Sequence, residues 1–302
     1  MGQTLGGEMA GGLDKPDKPD STDRADNSVA DNSVADEPAH LLDPAHRAAI
    51  HIARPAAPGD LEGLVRRFWF PVWRVPAGQT FTQQVLQYPV CLMVITDAYA
   101  RFYGPASGLA GTPLTGDGWA AGVMFEPAAG ALITGGAVSK WTDTHVELAD
   151  LLGAAGDALV GRIRSIMTVD PAMPQAQSAA ADCYAEFLRR YLPVDEQGRT
   201  VNDIVAHIED NPDVSRVADV CAQFGITERS LQRLTRRRIG LSPKWLVRRR
   251  RIQDASWRLR TGATTMAAVA AELGYADEAH LSRDFRRVTG QTPGAFAARY
   301  AD

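Results

Sequence analysis

Residues 214–302 carry one pattern twice, and that duplication constrains the fold more than any other feature of the chain. Gly225, Leu231, Arg233, Arg236, Arg237, Gly240, Pro243 and Leu246 recur as Gly274, Leu281, Arg283, Arg286, Arg287, Gly290, Pro293 and Phe296. The offset is 49 at the first glycine and 50 at every later position, so the second turn holds one extra residue. Each copy reads as a short helix, a glycine turn and a basic helix. In the first copy Val217, Val220, Cys221 and Phe224 form an apolar stripe behind Ser215, the expected N-cap. Gly225 follows Cys221 by four; a small residue there lets two helices approach, and the glycine permits a sharp turn. Thr227 is placed to cap the next helix, Glu228 to Arg238, with Leu231 and Leu234 inward. In the second copy Val269, Ala270 and Leu273 face inward, and Tyr275 packs after the turn. Asp277 is placed to cap a helix whose core residues are Leu281 and Phe285. Between the copies, Pro243 to Arg260 reads as one connecting helix with Trp245, Leu246, Ile252, Ala255 and Leu259 on its apolar face.

Charge separates this region from the rest. Val214 to Asp302 holds 17 basic and 8 acidic residues, a net of +9, while the remainder holds 15 basic and 28 acidic, a net of −13. A basic end beside an acidic remainder fits one part that meets a polyanion and another that does not. A solvated, arginine-rich helical surface fits the charge equally well. Cysteines 91, 183 and 221 form no CxxC pair and no zinc spacing, which fits a reduced, cytoplasmic setting without a metal. No run approaches the roughly 18 apolar residues of a membrane span, and the first residues lack a signal-peptide layout.

Helix geometry divides the outward residues of the two basic helices. The N-terminal half of such a helix reaches base edges, where Arg suits guanine and Gln suits adenine. Arg229, Gln232 and Arg233 are therefore candidate base contacts in the first copy, and Glu278, Ser282 and Arg283 in the second. Arg236 and Arg237, with Arg286 and Arg287, fall toward the phosphates. His280 has no His or Cys nearby at ligand spacing and reads as a packing or solvent residue. The run Arg248 to Arg251 cannot point one way on a helix, so it divides between structure and phosphate.

The region resembles the DNA-binding domain of the AraC/XylS family of transcription regulators, over roughly 100 residues. The stretches A-A-E-L-G-Y and L-S-R-D-F-R-R, followed by Gly290 and Pro293, carry the resemblance. It implies two helix-turn-helix units joined by a long helix, with each recognition helix in one of two successive major-groove segments of double-stranded DNA. It implies base-reading positions at Arg229, Gln232 and Arg233, and at Glu278, Ala279 and Arg283. Ala279 offers only a methyl contact. Thr235 stands where the family usually has Phe, so the first head is expected to pack less firmly.

The remaining chain reads in three parts: a disordered acidic tail over 1–40, a β-rich domain with C-terminal helices over 60–192, and a linker over 193–200 that leads into the DNA-binding domain, 201–302. The tail holds the repeats DKPDKPD and ADNSVADNSVAD and too little apolar surface to offset ordering entropy. An acidic tail of this kind can also compete with DNA for the basic end. Strands are expected at Phe68–Val75, Phe81–Gln87, Val90–Ile95, Trp119–Phe125 and Ala131–Thr134, with Gly/Pro turns suggesting a barrel or sandwich. Helices are expected around Leu148–Ile166, over Ala179–Tyr191, and at Val201, Ile204, Val205 and Ile208 before Asn211-Pro212. The fold class is α+β. Trp69, Trp73, Trp119 and Trp141 read as core rather than pocket.

The stretches F-W-F-P-V-W-R-V-P-A-G and G-V-M-F-E-P-A-A-G-A-L-I resemble an uncharacterised domain attached to AraC-type regulators. Many relatives carry Arg-Pro-Gly where this chain has Glu126-Pro127-Ala128. That resemblance implies sensing of a small-molecule effector, or dimerisation; RNA polymerase and a second copy of the chain are the partners it admits. No cofactor and no catalytic site are expected: no phosphate loop, nucleophile elbow or carboxylate pair stands out, and His145 is isolated. Two other classes stay open. One is an enzyme localised by a DNA-binding tail, as in alkylation-repair proteins, against which the missing N-terminal cysteine cluster counts. The other is a non-specific architectural DNA binder.

Overall fold

The computed structural model describes residues 48–85, 88–260 and 265–298. The repetitive tail over 1–40 and the last two residues of the strand expected at Phe81–Gln87 lie outside them. The first half of the described chain is β-rich and the second half helical. Its strands are β1 (Ile50–Ala53), β2 (Val65–Arg74), β3 (Phe81–Val85), β4 (Leu92–Thr96), β5 (Ala100–Tyr103), β6 (Ala110–Leu114), β7 (Asp117–Phe125) and β8 (His145–Glu147). Six form one antiparallel sheet in the order β1-β2-β7-β4-β5-β8, and β3 pairs with β6 in a second, two-stranded sheet.

Alternation along β2 and β7 sends different residues to the two faces of the large sheet. Phe68, Phe70, Ala121, Val123 and Phe125 face the main core with Met93, Ile95 and Phe102. Helices α3 (Ala154–Met167) and α4 (Pro174–Leu188) cover that face. Tyr184 stacks on Phe68 at 6.1 Å between ring centroids, and its hydroxyl donates to the Ala121 carbonyl at 2.8 Å. A buried phenol needs such an acceptor.

On the other face Trp69 and Trp73 lie across Gly122 and Gly118, their cross-strand partners on β7. A Cβ at Gly122 would sit 2.2 Å from the Trp69 ring, and one at Gly118 would sit 2.4 Å from the Trp73 ring. The glycines are therefore the seats of the two indoles. Of the tryptophans expected in the core, Trp119 is buried, whereas Trp69, Trp73 and Trp141 are partly exposed.

One strand expectation is overturned. Ala131–Thr134 belongs to helix α1 (Ala129–Thr134), which ends at Gly135 in the left-handed region. A four-residue apolar run does not distinguish strand from buried helix by periodicity. The tie is broken by packing: Gly130 turns its backbone onto Cys91 and Val138, where a Cβ would meet Cys91 Sγ at 2.7 Å.

The remaining helices are α2 (Leu148–Leu152), α5 (Glu196–Asp210), α6 (Val217–Phe224), α7 (Glu228–Arg238), α8 (Pro243–Arg260), α9 (Met266–Glu272), α10 (Glu278–Thr289) and α11 (Pro293–Ala298). Helix α5 buries Val201, Ile204, Val205 and Ile208, the stripe expected there. It starts at Glu196, inside the interval 193–200, and Asp195 caps it by accepting from Gly198 N–H at 2.8 Å. Asn202 then pins it to the β-rich part, accepting from Ala128 N–H at 2.9 Å and donating to the Gly63 carbonyl at 2.7 Å.

Apolar packing divides the chain at a point other than 193–200. One continuous core holds the large sheet, α3 to α7 and the first half of α8, down to Leu246 and Val247. A second core gathers Ile252 and Ala255 of α8 with α9, α10 and α11. The first repeat thus shares its core with the β-rich region, while the second repeat has its own.

Candidate nucleic-acid interface

The two repeats fold alike. Gly225 and Gly274 follow α6 and α9 with φ of +62° and +70°, the left-handed region where a side chain is strained. A Cβ at Gly225 would meet nothing within 4 Å, so the backbone conformation, and not crowding, demands glycine there. Thr227 caps α7 by accepting from Ser230 N–H at 3.2 Å, and Asp277 caps α10 by accepting from His280 N–H at 2.6 Å, as expected. The cap of α6 differs from the expectation. Arg216, not Ser215, is the N-cap, and Asp219 reaches back to accept the N–H groups of both Ser215 (3.1 Å) and Arg216 (2.7 Å). A carboxylate on the third helical residue is well placed for this, and it favours the positive end of the helix dipole.

The inward faces are sealed. Val220 and Leu231 are fully buried in the first repeat; Val269, Leu281 and Phe285 are fully buried in the second, where Phe285 meets Phe296 edge-on at 5.3 Å. Thr235 is also fully buried, and α7 lies against both α1 and the short turn Val138–Lys140. The first head therefore draws its packing from the β-rich region as well as from α6.

The outward faces carry the candidate contacts. Arg229, Gln232, Arg233, Arg236 and Arg237 are exposed on α7, and Glu278, Ala279, Arg283, Arg286 and Arg287 on α10. Ser282 is only partly buried beside them. The Gln232 amide donates to Glu228 one turn earlier at 3.1 Å, which holds it on the outer face. His280 packs edge-on against Tyr275 at 5.1 Å, in keeping with a packing residue.

Other arginines are structural. Arg238 falls on the inner stripe of α7, seven residues after Leu231, and is buried in an ion pair with Asp195. The run on α8 is engaged within the protein. Arg248 pairs with Asp284 of α10 at 3.4 Å, Arg249 with Glu209 of α5 at 3.3 Å, and Arg250 with Asp254 at 2.8 Å. The Arg251 guanidinium lies 3.7 Å from the Tyr275 ring centroid. Their acidic partners, except Asp254, come from distant parts of the sequence, so neither the run nor its periodicity reveals them. The stripe Leu231, Thr235, Arg238 was the one readable signal, and it marks Arg238 as inward.

Contacts from the β-rich region also reach both repeats. The Thr142 hydroxyl donates to the Gly240 carbonyl at 3.0 Å, and Trp245 Nε1 donates to the Ser107 carbonyl at 2.7 Å. Leu109 packs against the second core. No sequence pattern pointed to these residues.

Comparison with known proteins agrees with this geometry. Residues 220–299 match a family model described as a helix-turn-helix domain, and residues 53–147 match a domain of unknown function, DUF6597. A protein described as an AraC-like transcription regulator in Streptomyces lividans is 34% identical over 80 residues, 26% of either chain. The transcriptional activator RhaR of Yersinia pseudotuberculosis is 32% identical over 84 residues, 28% of this chain and 29% of its own. An uncharacterised HTH-type transcriptional regulator of Bacillus subtilis, YfiF, is 27% identical over 120 residues, 39% of this chain and 38% of its own. The chain thus spans about a quarter to two fifths of the length of these relatives. ToxT of Vibrio cholerae O395 aligns over 78% of this chain and 98% of its own, with 12% identity and a TM-score of 0.37, a superposition too loose to carry an inference. Among the described residues no helix is long and apolar enough to cross a membrane. The C-terminal region of the chain is an AraC-type helix-turn-helix domain, set behind a DUF6597 domain.

Proposed function

We propose that the protein is a sequence-specific transcription regulator that lays α7 and α10 into successive major-groove segments on one side of duplex DNA. The observation that carries this reading is the duplication of a capped helix whose inner face is sealed and whose outer face is exposed and basic. Arg229, Gln232 and Arg233 read bases from the first helix; Glu278, Ala279, Ser282 and Arg283 do so from the second. Arg236, Arg237, Arg286 and Arg287 hold phosphates. Selection of bound duplexes from a random pool tests it, with the Arg233→Ala/Arg283→Ala variant as control. Two enriched blocks about one helical turn apart, lost in the control, support the reading. Retention that ignores sequence and falls steeply with salt supports an architectural binder instead.

Single substitutions separate the two classes of contact. Arg233→Ala is expected to cost about 1–3 kcal/mol and to relax preference at one base. Arg237→Ala is expected to weaken all sequences alike and to reduce the salt slope by about 1. Titrations of matched and mismatched duplexes at several salt concentrations measure both. A uniform loss for Arg233→Ala removes it from the base readers, and an unchanged slope removes Arg237 from the phosphate set.

The β-rich region is read as the sensing or dimerising part, with a small-molecule effector as its input. The Trp69 Nε1 group supports an effector site: it is a buried donor with no hydrogen-bond partner among the described residues, on an indole seated over Gly122. A metabolite panel scored by thermal shift tests this, and a compound that raises the midpoint in the parent but not in Trp69→Phe supports it. A second copy of the chain and RNA polymerase are the protein partners this reading admits.

A further inference from the structure

The β5–β6 loop, residues 104–109, touches the equivalent point of both repeats. Gly240 and Gly290 correspond under the 50-residue offset, and each turns the chain just after a recognition helix, with φ of +85° and +75°. At Gly240 a Cβ would sit 2.6 Å from Thr142 Oγ1 and 3.2 Å from Pro105 Cγ; at Gly290 one would sit 3.5 Å from Leu109 Cδ2. Ser107 accepts the Trp245 indole N–H at the start of the connecting helix. One loop and its neighbour Thr142 thus contact the end of the first head, the root of α8 and the end of the second head.

This platform is stapled. The Asp143 carboxylate accepts from Ser107 N–H and from Ser107 Oγ–H, both at 2.7 Å. Asp143 N–H donates to the Pro105 carbonyl at 3.1 Å, and Gly104 N–H to the Thr144 carbonyl at 3.0 Å. Gly104 lies so close to Trp141 that a Cβ would meet its carbonyl oxygen at 1.9 Å. Asp143 itself has φ +61°, the one non-glycine residue with positive φ among those described. Asp tolerates that conformation better than most residues, at some cost. A strained residue that makes three hydrogen bonds to one loop is a device for rigidity at that place.

We infer that the loop 104–109, locked by Asp143, is a clamp that fixes the spacing and rotation of the two reading heads. Helix α8 runs through both cores, Leu246 and Val247 in the first and Ile252 and Ala255 in the second, so without the clamp a bend of α8 between them moves the second head relative to the first. The loop runs directly into β6, whose Leu114 packs with Trp69 and Trp73 on the second face of the large sheet. The clamp is therefore continuous with the face proposed to take an effector. The inference rests on α7 and α10 being paired reading helices.

The test uses the full chain and two variants. Asp143→Gly deletes both carboxylate acceptors yet keeps the backbone conformation, and Leu109→Ala removes only the contact at the second head. The first readout is affinity for duplexes carrying the two selected blocks with one base pair inserted or removed. Each such change rotates one block by about 35° relative to the other. The parent is expected to lose about tenfold on that change, and both variants about threefold or less, with binding to an isolated block unaltered. The second readout needs no DNA: amide exchange of residues 266–298 is expected to quicken about fivefold in both variants, with α6 and α7 unchanged. Undiminished discrimination of spacing together with unchanged exchange overturns the clamp. If the parent selects no sequence at all, the proposed function fails, while the exchange result still decides whether the second head is clamped.

Discussion

Phe285→Ala is expected to cost about 3–5 kcal/mol and to melt the second head while the rest of the chain stays folded. Phe285 is fully buried, packs edge-on against Phe296, and sits among Ile252, Ala255, Val269 and Leu281. That core is separate from the one holding the sheet and the first repeat. A core of this size has little stability to spare, so the lost transfer energy and the cavity fall on it alone. The two parts have different optical reporters. Trp69, Trp73, Trp119 and Trp245 pack with the clusters of the β-rich part and the first repeat. Helical circular dichroism reports both parts. Trp257 lies on the half of α8 that serves the second core, so the measurement is made in a Trp257→Phe background; the expected result is a new low-temperature transition in the helical signal with tryptophan fluorescence unmoved. Leu231→Ala, in the main core, is expected to lower both signals together by about 2–5 kcal/mol. A single transition for Phe285→Ala, shifted equally by both probes, would show that the two cores unfold as one.

The same division explains what could be read from the sequence. The repeat, its glycine turns, the caps at Thr227 and Asp277 and the outward arginines are local features, set by spacings of three, four and seven residues, and each is where the pattern puts it. Strands β4 and β7 were legible because apolar runs bounded by turns have few alternatives. Helix α1 was not, because the choice between strand and helix there depends on Gly130 meeting Cys91 and Val138, residues remote in sequence. The arginines of α8 look like a phosphate-binding run until Glu209 and Asp284 are brought beside them. The cap at Arg216 depends on Asp219 rather than on the residue type at the cap itself. The loop 104–109 carries no motif at all; only the tertiary fold sets it against Gly240 and Gly290.

Glu209→Ala is expected to be the most damaging single charge removal in the described chain. Glu209 stands on α5 between two guanidinium groups, Arg66 of β2 at 3.0 Å and Arg249 of α8 at 3.3 Å. Arg249 is 2% exposed. Burial pulls its pKa below the ordinary arginine value, and Glu209 opposes that pull. Arg66 is also desolvated, yet Glu209 and Glu126 together raise it. The Tyr88 ring offers its face to both cations, with Arg249 4.4 Å and Arg66 5.4 Å from the centroid. Without Glu209, Arg66 keeps its ion pair with Glu126, whereas Arg249, the more deeply buried of the two, loses the carboxylate 3.3 Å away. Breaking a buried pair from one side costs about 3–5 kcal/mol; Glu209 is one-fifth exposed, so the low end, about 3 kcal/mol, is expected. For a unit of this size that is a fall of about 6–12 °C in Tm. Adding Arg249→Met in the Glu209→Ala background should restore most of the loss, because an apolar side chain of similar length needs no countercharge. If the double variant is no more stable than Glu209→Ala alone, the cost arises at Arg66 or in the packing of α5, and the node between β2, α5 and α8 is not electrostatic in origin.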